Sequence, residues 1–256
     1  MTFNRNLWLH SFGQNNFPNW TCPRCEIGVL RPIEKTFSYE ASGDITSEII
    51  KYGEYFEYDS YTFRYSVLLK CNNYNCQECV ASCGHGYVQT EHVSGTQEGK
   101  FFNVFDPKYF YPALAIFKIP KECPVEITEK IKTSFQLFFS DAPAAANHVR
   151  KTIESILTDR GIKRFSSVKG KRKSINLHGR IVEFEKKDPE NAKKLFAIKW
   201  LGNEGSHTDT ITKNDVLDAY EILEFVLDDL YIGYRKSVDK KVSKIIKTKK
   251  PLHPST

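Results

Sequence analysis

The hydrophobic pattern of the chain changes period once. Up to about residue 120, apolar and polar positions alternate in short runs. In Tyr61-Thr-Phe-Arg-Tyr-Ser-Val-Leu-Leu-Lys-Cys71 the odd-numbered positions share one face, as in a strand with one side buried. Val80 to Thr90 reads as the strand that returns beside it, with Gly84-His85-Gly86 as a turn, and Ile27 to Ser42 as one or two more strands. Phe101 to Pro120 is aromatic and punctuated by Asp106-Pro107, Tyr111-Pro112 and Ile119-Pro120. It reads as an extended connector packed on the surface of the next domain.

After Pro120 the period becomes helical. Pro124 opens a helix with Ile127, Ile131, Phe135 and Phe138 on one stripe, proline being suited to a first turn. Asp141-Ala142-Pro143 caps a second helix that runs to about Asp159 and is ended by Gly161. A third covers Asn176 to Lys186, and a fourth runs from Asp188-Pro189 to Gly202. The fifth, Asn214 to Leu230, is the most regular, with Val216, Ala219, Tyr220, Leu223, Val226, Leu227 and Leu230 on one arc. A sixth, basic helix follows in the tail. The pattern predicts an α+β chain: a β-rich domain with its connector at 1–119, an all-α bundle at 120–233 and a basic tail at 234–256.

Composition narrows the class. Of 256 residues, 40% are hydrophobic and 13% aromatic, enough to bury a core, so disorder is excluded as the main description. No apolar run approaches the roughly 18 residues of a membrane helix, and Met1 to Phe12 lacks the pattern of a secretory signal. A soluble, cytoplasmic protein without membrane contact is expected. The net charge of +6 is unevenly placed. Lys163, Arg164, Lys169, Lys171, Arg172 and Lys173 lie between Ile162 and Ser174 without an acid, and the tail from Tyr234 carries a local +7, leaving −7 on the rest. A basic loop and a basic tail on an acidic body point to a polyanionic partner, nucleic acid above all.

Seven cysteines occur, six of them within the first 83 residues. Cys22-Pro-Arg-Cys25 is a tight pair and Cys71-Asn-Asn-Tyr-Asn-Cys76 a wider one. Two cysteine pairs on turns separated by strands make a zinc ribbon, and four soft thiolates leave no open position. One structural zinc per chain is therefore expected on Cys22, Cys25, Cys71 and Cys76. Cys79 and Cys83 are alternatives for the later ligands, and His85 is a further candidate. Cys123 reads as a buried small hydrophobe.

Two runs stand out in the helical half. One is Pro143-Ala-Ala-Ala-Asn-His-Val-Arg150-Lys-Thr-Ile-Glu154, in which Arg150 and Glu154 share a face. The other is Ile198-Lys-Trp-Leu-Gly-Asn203-Glu-Gly-Ser-His207. With the helix Asp215 to Tyr231, these resemble the bacterial domain of unknown function 4145, a member of the HEPN-like helical superfamily. The Cys-Pro-x-Cys at Cys22 and the run Cys71 to Gly84 resemble the zinc-ribbon segment that often precedes it. The resemblance implies a helical bundle, frequently dimeric, in microbial conflict and phage defence. It also implies a metal-independent endoribonuclease, whose signature is an Arg shortly before a His at the start of the last helix.

Here His207 is present, but Leu201 to Ser206 contains no Arg. On the catalytic reading His207 is the acid–base group, Asn203 positions it or the substrate, and Arg150 and Lys199 contact phosphate. The expected function is RNA-directed activity in a bacterial defence or stress system by a homodimer, alone or with a larger enzyme. The alternative is a non-catalytic nucleic-acid-binding or adaptor module.

Overall fold

The structure is a computed structural model that describes residues 4–52, 60–92, 99–168, 170–204 and 211–249. It is α+β: a curled antiparallel sheet within residues 12–111 is followed by a helical region from 125 to 248. By internal contacts it divides into two compact units, Met1–Ile116 with Lys132–Ala145, and Phe117–Ile131 with Ala146–Thr256.

The first unit opens with the short helix α1 (Asn6–Leu9) and the strands β1 (Phe12–Gly13), β2 (Leu30–Pro32) and β3 (Ser38–Ala41). Helix α2 (Gly43–Tyr52) and the long strands β4 (Thr62–Cys71), β5 (Cys79–His92) and β6 (Gly99–Tyr111) follow. The sheet has six strands in the order β1-β6-β5-β4-β2, with β3 also paired to β4. The alternation in β4 is kept: Phe63, Tyr65, Val67, Leu69 and Cys71 are buried, and Arg64, Ser66, Leu68 and Lys70 are exposed. The buried face carries a cluster of rings. Phe12 lies edge-on to Trp20 and Tyr65 with centroids 5.5 Å apart, and Trp20 meets Phe110 at 4.9 Å. Edge-to-face pairs set the positive rim of one ring against the negative face of the next.

Two expectations are corrected in this unit. The stretch from Phe101 to Tyr111 is no connector; it lies within β6, which pairs with both β5 and β1. Pro107 had argued against a strand, because proline lacks the N–H of a ladder bond, but it sits where the β5–β6 register shifts, a place where proline is tolerated. Gly84-His85-Gly86 lies within β5, where the glycines admit the close approach of β6 and the Phe105 ring, so it is not a turn. Helices α1 and α2 have no counterpart in the sequence reading.

Helices α3 (Val125–Phe138) and α4 (Ala142–Asp159) come next. The α3 stripe Ile127, Ile131, Phe135 and Phe138 is buried, and Asp141 Oδ1 accepts the Ala144 N–H at 2.8 Å as the cap of α4. Then follow a hairpin of β7 (Phe165–Val168) and β8 (Lys171–Ser174), and the helices α5 (Leu177–Glu185), α6 (Pro189–Glu204) and α7 (Lys213–Leu227). A π-helical turn over Asp228–Ile232 continues α7 into α8 (Tyr234–Thr248). The basic segment expected as a loop in an all-α half is thus a β-hairpin. Its strands pair up to Val168 and Lys171, and Gly170 stands at φ 72°. The lysines of β8 mask any alternation, since all four of its residues are exposed.

Helix α7 buries Val216, Leu217, Ala219, Tyr220, Leu223, Val226 and Leu227. Thr212 and Asp215 form a reciprocal capping box at its start. The fully buried Asn191 amide donates to Asp188 at 2.8 Å and to Asp229 at 2.7 Å, tying the start of α6 to the π turn. No helix among the described residues is long and apolar enough to cross a membrane.

Candidate functional site

The four cysteines singled out by spacing converge. The Sγ atoms of Cys22, Cys25, Cys71 and Cys76 all lie within 4.8 Å of one another and can hold a metal ion. Cys22 stands 3.8 Å from Cys76 and Cys25 3.7 Å from Cys71, far beyond a disulfide bond. Two turns present them. In the first, Cys22 N–H donates to Gly28 O at 2.8 Å and Glu26, at φ 55°, bends the chain back. In the second, Cys76 and Gln77 donate to Asn73 O, with Gln77 at φ 53°. The turns abut: Val29 N–H donates to Asn72 Oδ1 at 2.8 Å, and a Cβ on Gly28 would fall on Cys71 Sγ. Glycine is required at this contact.

Backbone N–H groups point at the sulfurs. Gly28 N–H donates to Cys25 Sγ at 3.3 Å and Asn73 N–H to Cys71 Sγ at 3.4 Å. The amides of Gly28 and Ile27 bring the Cys25 thiol down to about 6, whereas burial pushes Cys71 up to about 12. Cys25 is thus readily a thiolate, and Cys71 needs a cation to become one. The other cysteines lie elsewhere. Cys79 and Cys83 are exposed on β5, Cys123 is buried, and His85 sits mid-strand with its Nε2 3.5 Å from Asp106.

The residues expected to act on RNA are spread over α4, α6 and the hairpin. Arg150, on α4, is half-buried. Lys199, on α6, is only 8% exposed, with Nζ 3.9 Å above the Trp200 ring. Asn203 lies in the last turn of α6, while its side chain, His207 and Lys169 lie outside the described residues. Lys163, Arg164, Lys171, Arg172 and Lys173 are exposed. The hairpin stands on a fixed base: Ile175 N–H donates to Arg164 O at 2.9 Å, and buried Arg180 donates to Thr158 Oγ1 and Ile162 O. On it, the Arg172 guanidinium lies 3.6 Å from the centroid of the Phe165 ring. A separate area on α6 and α7 is aromatic and acidic: Trp200 and Phe225 are more than half exposed, and an open depression of about 470 Å³ is lined by Trp200, Asp218, Glu221 and Ile222, among others.

The geometry can be set beside known families. Residues 132–249, from α3 to the end of α8, match a family model described as a domain of unknown function. That family is DUF4145. Residues 10–110, from β1 to β6, match a second domain of unknown function, DUF8608. The DUF8608 segment thus contains all four clustered cysteines, and the DUF4145 segment contains the basic hairpin and α8. No curated protein and no solved structure matches the chain.

Proposed function

We propose that the chain is a nucleic-acid-directed protein in which a zinc-braced DUF8608 sheet accompanies a HEPN-like DUF4145 region that contacts RNA. The observation that carries the RNA reading is the basic hairpin: five exposed cations at Lys163, Arg164, Lys171, Arg172 and Lys173, held on a buried base and joined by the exposed Phe165 ring. Fixed cations attract phosphate by counterion release, and a ring offers a stacking surface. Helix α8 adds Lys240, Lys241, Lys244 and Lys247, all exposed.

Zinc suits the cysteine cluster in donor type and size. A tetrahedron of Zn–S bonds of about 2.3 Å has S···S edges of about 3.8 Å, against the 3.7 and 3.8 Å of the two closest recorded pairs. Cys22, Cys25, Cys71 and Cys76 would be its ligands. Zinc with four thiolates supplies folding energy and leaves no position for substrate.

The test is RNA binding across a salt series. Replacing Lys169, Lys171, Arg172 and Lys173 by alanine should weaken binding and flatten the log–log salt slope by about three on single strands. An unchanged slope would refute the hairpin reading. Cleavage by a defence endoribonuclease is a separate arm. It would leave a 2′,3′-cyclic phosphate and be lost in His207→Ala with RNA affinity retained, whereas binding without cleavage supports the adaptor form. Light scattering tests the homodimer.

A further inference from the structure

The outer face of the sheet, opposite the ring cluster, carries a second constellation. Cys83 pairs with Tyr109 and Gly84 with Pro107, so Lys108 is an extra residue in β6. Such a bulge bends its strand and re-aims side chains, and bulges recur beside binding sites. Gly84 is demanded by the close approach, because a Cβ there would fall on the Asp106 carbonyl oxygen. Beside the bulge lies an open depression of about 640 Å³ lined by Arg64, Cys83, His85 and Lys108, among others. It adjoins, through Cys83, a second of about 290 Å³ with Ser66, Leu68, Ala81 and Tyr109 on its walls.

Among the described residues, no carboxylate lines either depression. The acids nearby are Asp106, beside His85 Nε2, and Glu40, across from Arg64 in the register. Lys70 extends the row of exposed cations along β4. Tyr109 is 39% exposed, and its hydroxyl accepts the Gln136 Nε2 hydrogen bond at 2.8 Å, which anchors one edge of the ring. Tyr111, next on the same side of β6, is 65% exposed.

We propose that this trough binds single-stranded nucleic acid, with phosphates at Arg64 and Lys108 and a base against Tyr109. Cations beside exposed rings on an open sheet suit a strand with unstacked bases; a duplex keeps its base faces hidden. The trough is open rather than enclosed, which suits a chain passing through more than a lone nucleotide. The inference rests on the nucleic-acid reading above but uses residues of the other unit.

The experiment measures fluorescence anisotropy of the full chain with a short oligouridine, its DNA counterpart and an RNA duplex. Tyr109→Ala and the double variant Arg64→Ala/Lys108→Ala should each weaken single-strand binding about tenfold. Tyr109→Phe should bind like wild type, which separates stacking from the hydroxyl contact, and duplex binding should stay unchanged. The two single strands tell RNA from DNA as the ligand. Single-strand affinity unaltered in both variants, or no single-strand binding by wild type, overturns the proposal. If the hairpin variant keeps full affinity while Tyr109→Ala loses it, the hairpin reading fails and the trough stands. The reverse pattern removes the trough alone.

Discussion

In the sheet unit the largest fully buried side chains are rings, among them Trp20 and, on β6, Phe105 and Phe110, while β1 and β2 run only two and three residues. In the helical unit α7 alone runs 15 residues, carries a capping box and buries seven side chains. The helices close their own backbone hydrogen bonds. The segment from residue 10 to 32 instead joins the long strands through the short ladders at Phe12–Gly13 and Leu30–Pro32 and through the rings of Phe12 and Trp20. Cys22 and Cys25 belong to that segment, and Cys71 and Cys76 to the end of β4 and the turn after it. A metal on the four thiols would add a third tie, from this segment to the end of β4 and the turn after it.

The largest expected effect follows from this difference. Cys22→Ser or Cys71→Ser should abolish metal binding and the cooperative melting of the sheet unit while leaving most helical circular dichroism intact. A structural zinc site contributes on the order of 10 kcal/mol, which a small sheet cannot lose. Cys79→Ser and Cys83→Ser, both exposed, should melt like wild type. Retained melting in Cys22→Ser would erase the contrast between the units.

Next come cores that need no metal. Leu223→Ala in α7, fully buried, should cost about 3 kcal/mol, read by chemical denaturation. Asn191→Ala should cost about 2 kcal/mol, because it leaves the Asp188 and Asp229 carboxylates facing each other without the shared N–H donor. Both variants should keep the zinc.

The smallest effect is at the capping box. Thr212→Ala should cost about 1 kcal/mol. The Thr212 hydroxyl and N–H, at 2.6 and 2.8 Å, hold the Asp215 carboxyl below its ordinary value. A carboxyl with a depressed folded pKa contributes its full stability above the unfolded value of about 3.9 and loses it as pH falls through the folded one. Wild type should therefore lose more stability on acidification below about pH 4 than Thr212→Ala does, a difference that thermal melts across pH can measure.

How much was legible in the chain follows the range of each signal. The cysteine pairs are local, and both turns close within a few residues, so their spacing pointed to the four cysteines that the fold brings together. The helices were legible through their apolar period and, for α4, through the cap at Asp141; Asn176, Asp188 and Thr212 also bond a backbone N–H within their own first turns, Thr212 without having been singled out. Strand β6 was hidden because Pro107 reads as a breaker when its partner Gly84, more than twenty residues away, is out of view. The hairpin was hidden because solvent faces every residue of β8, leaving no alternation to read. The trough at Arg64, His85 and Lys108 exists only through strand pairing, and no run of sequence contains it.

The most direct test of the account is native mass spectrometry of the full chain, wild type and Cys71→Ser, with the metal identified by elemental analysis. The account predicts one zinc per wild-type chain, removed only under conditions that also unfold the sheet unit, and none in Cys71→Ser. A metal-free wild-type chain with four freely titratable thiols at these positions and an intact sheet would contradict it.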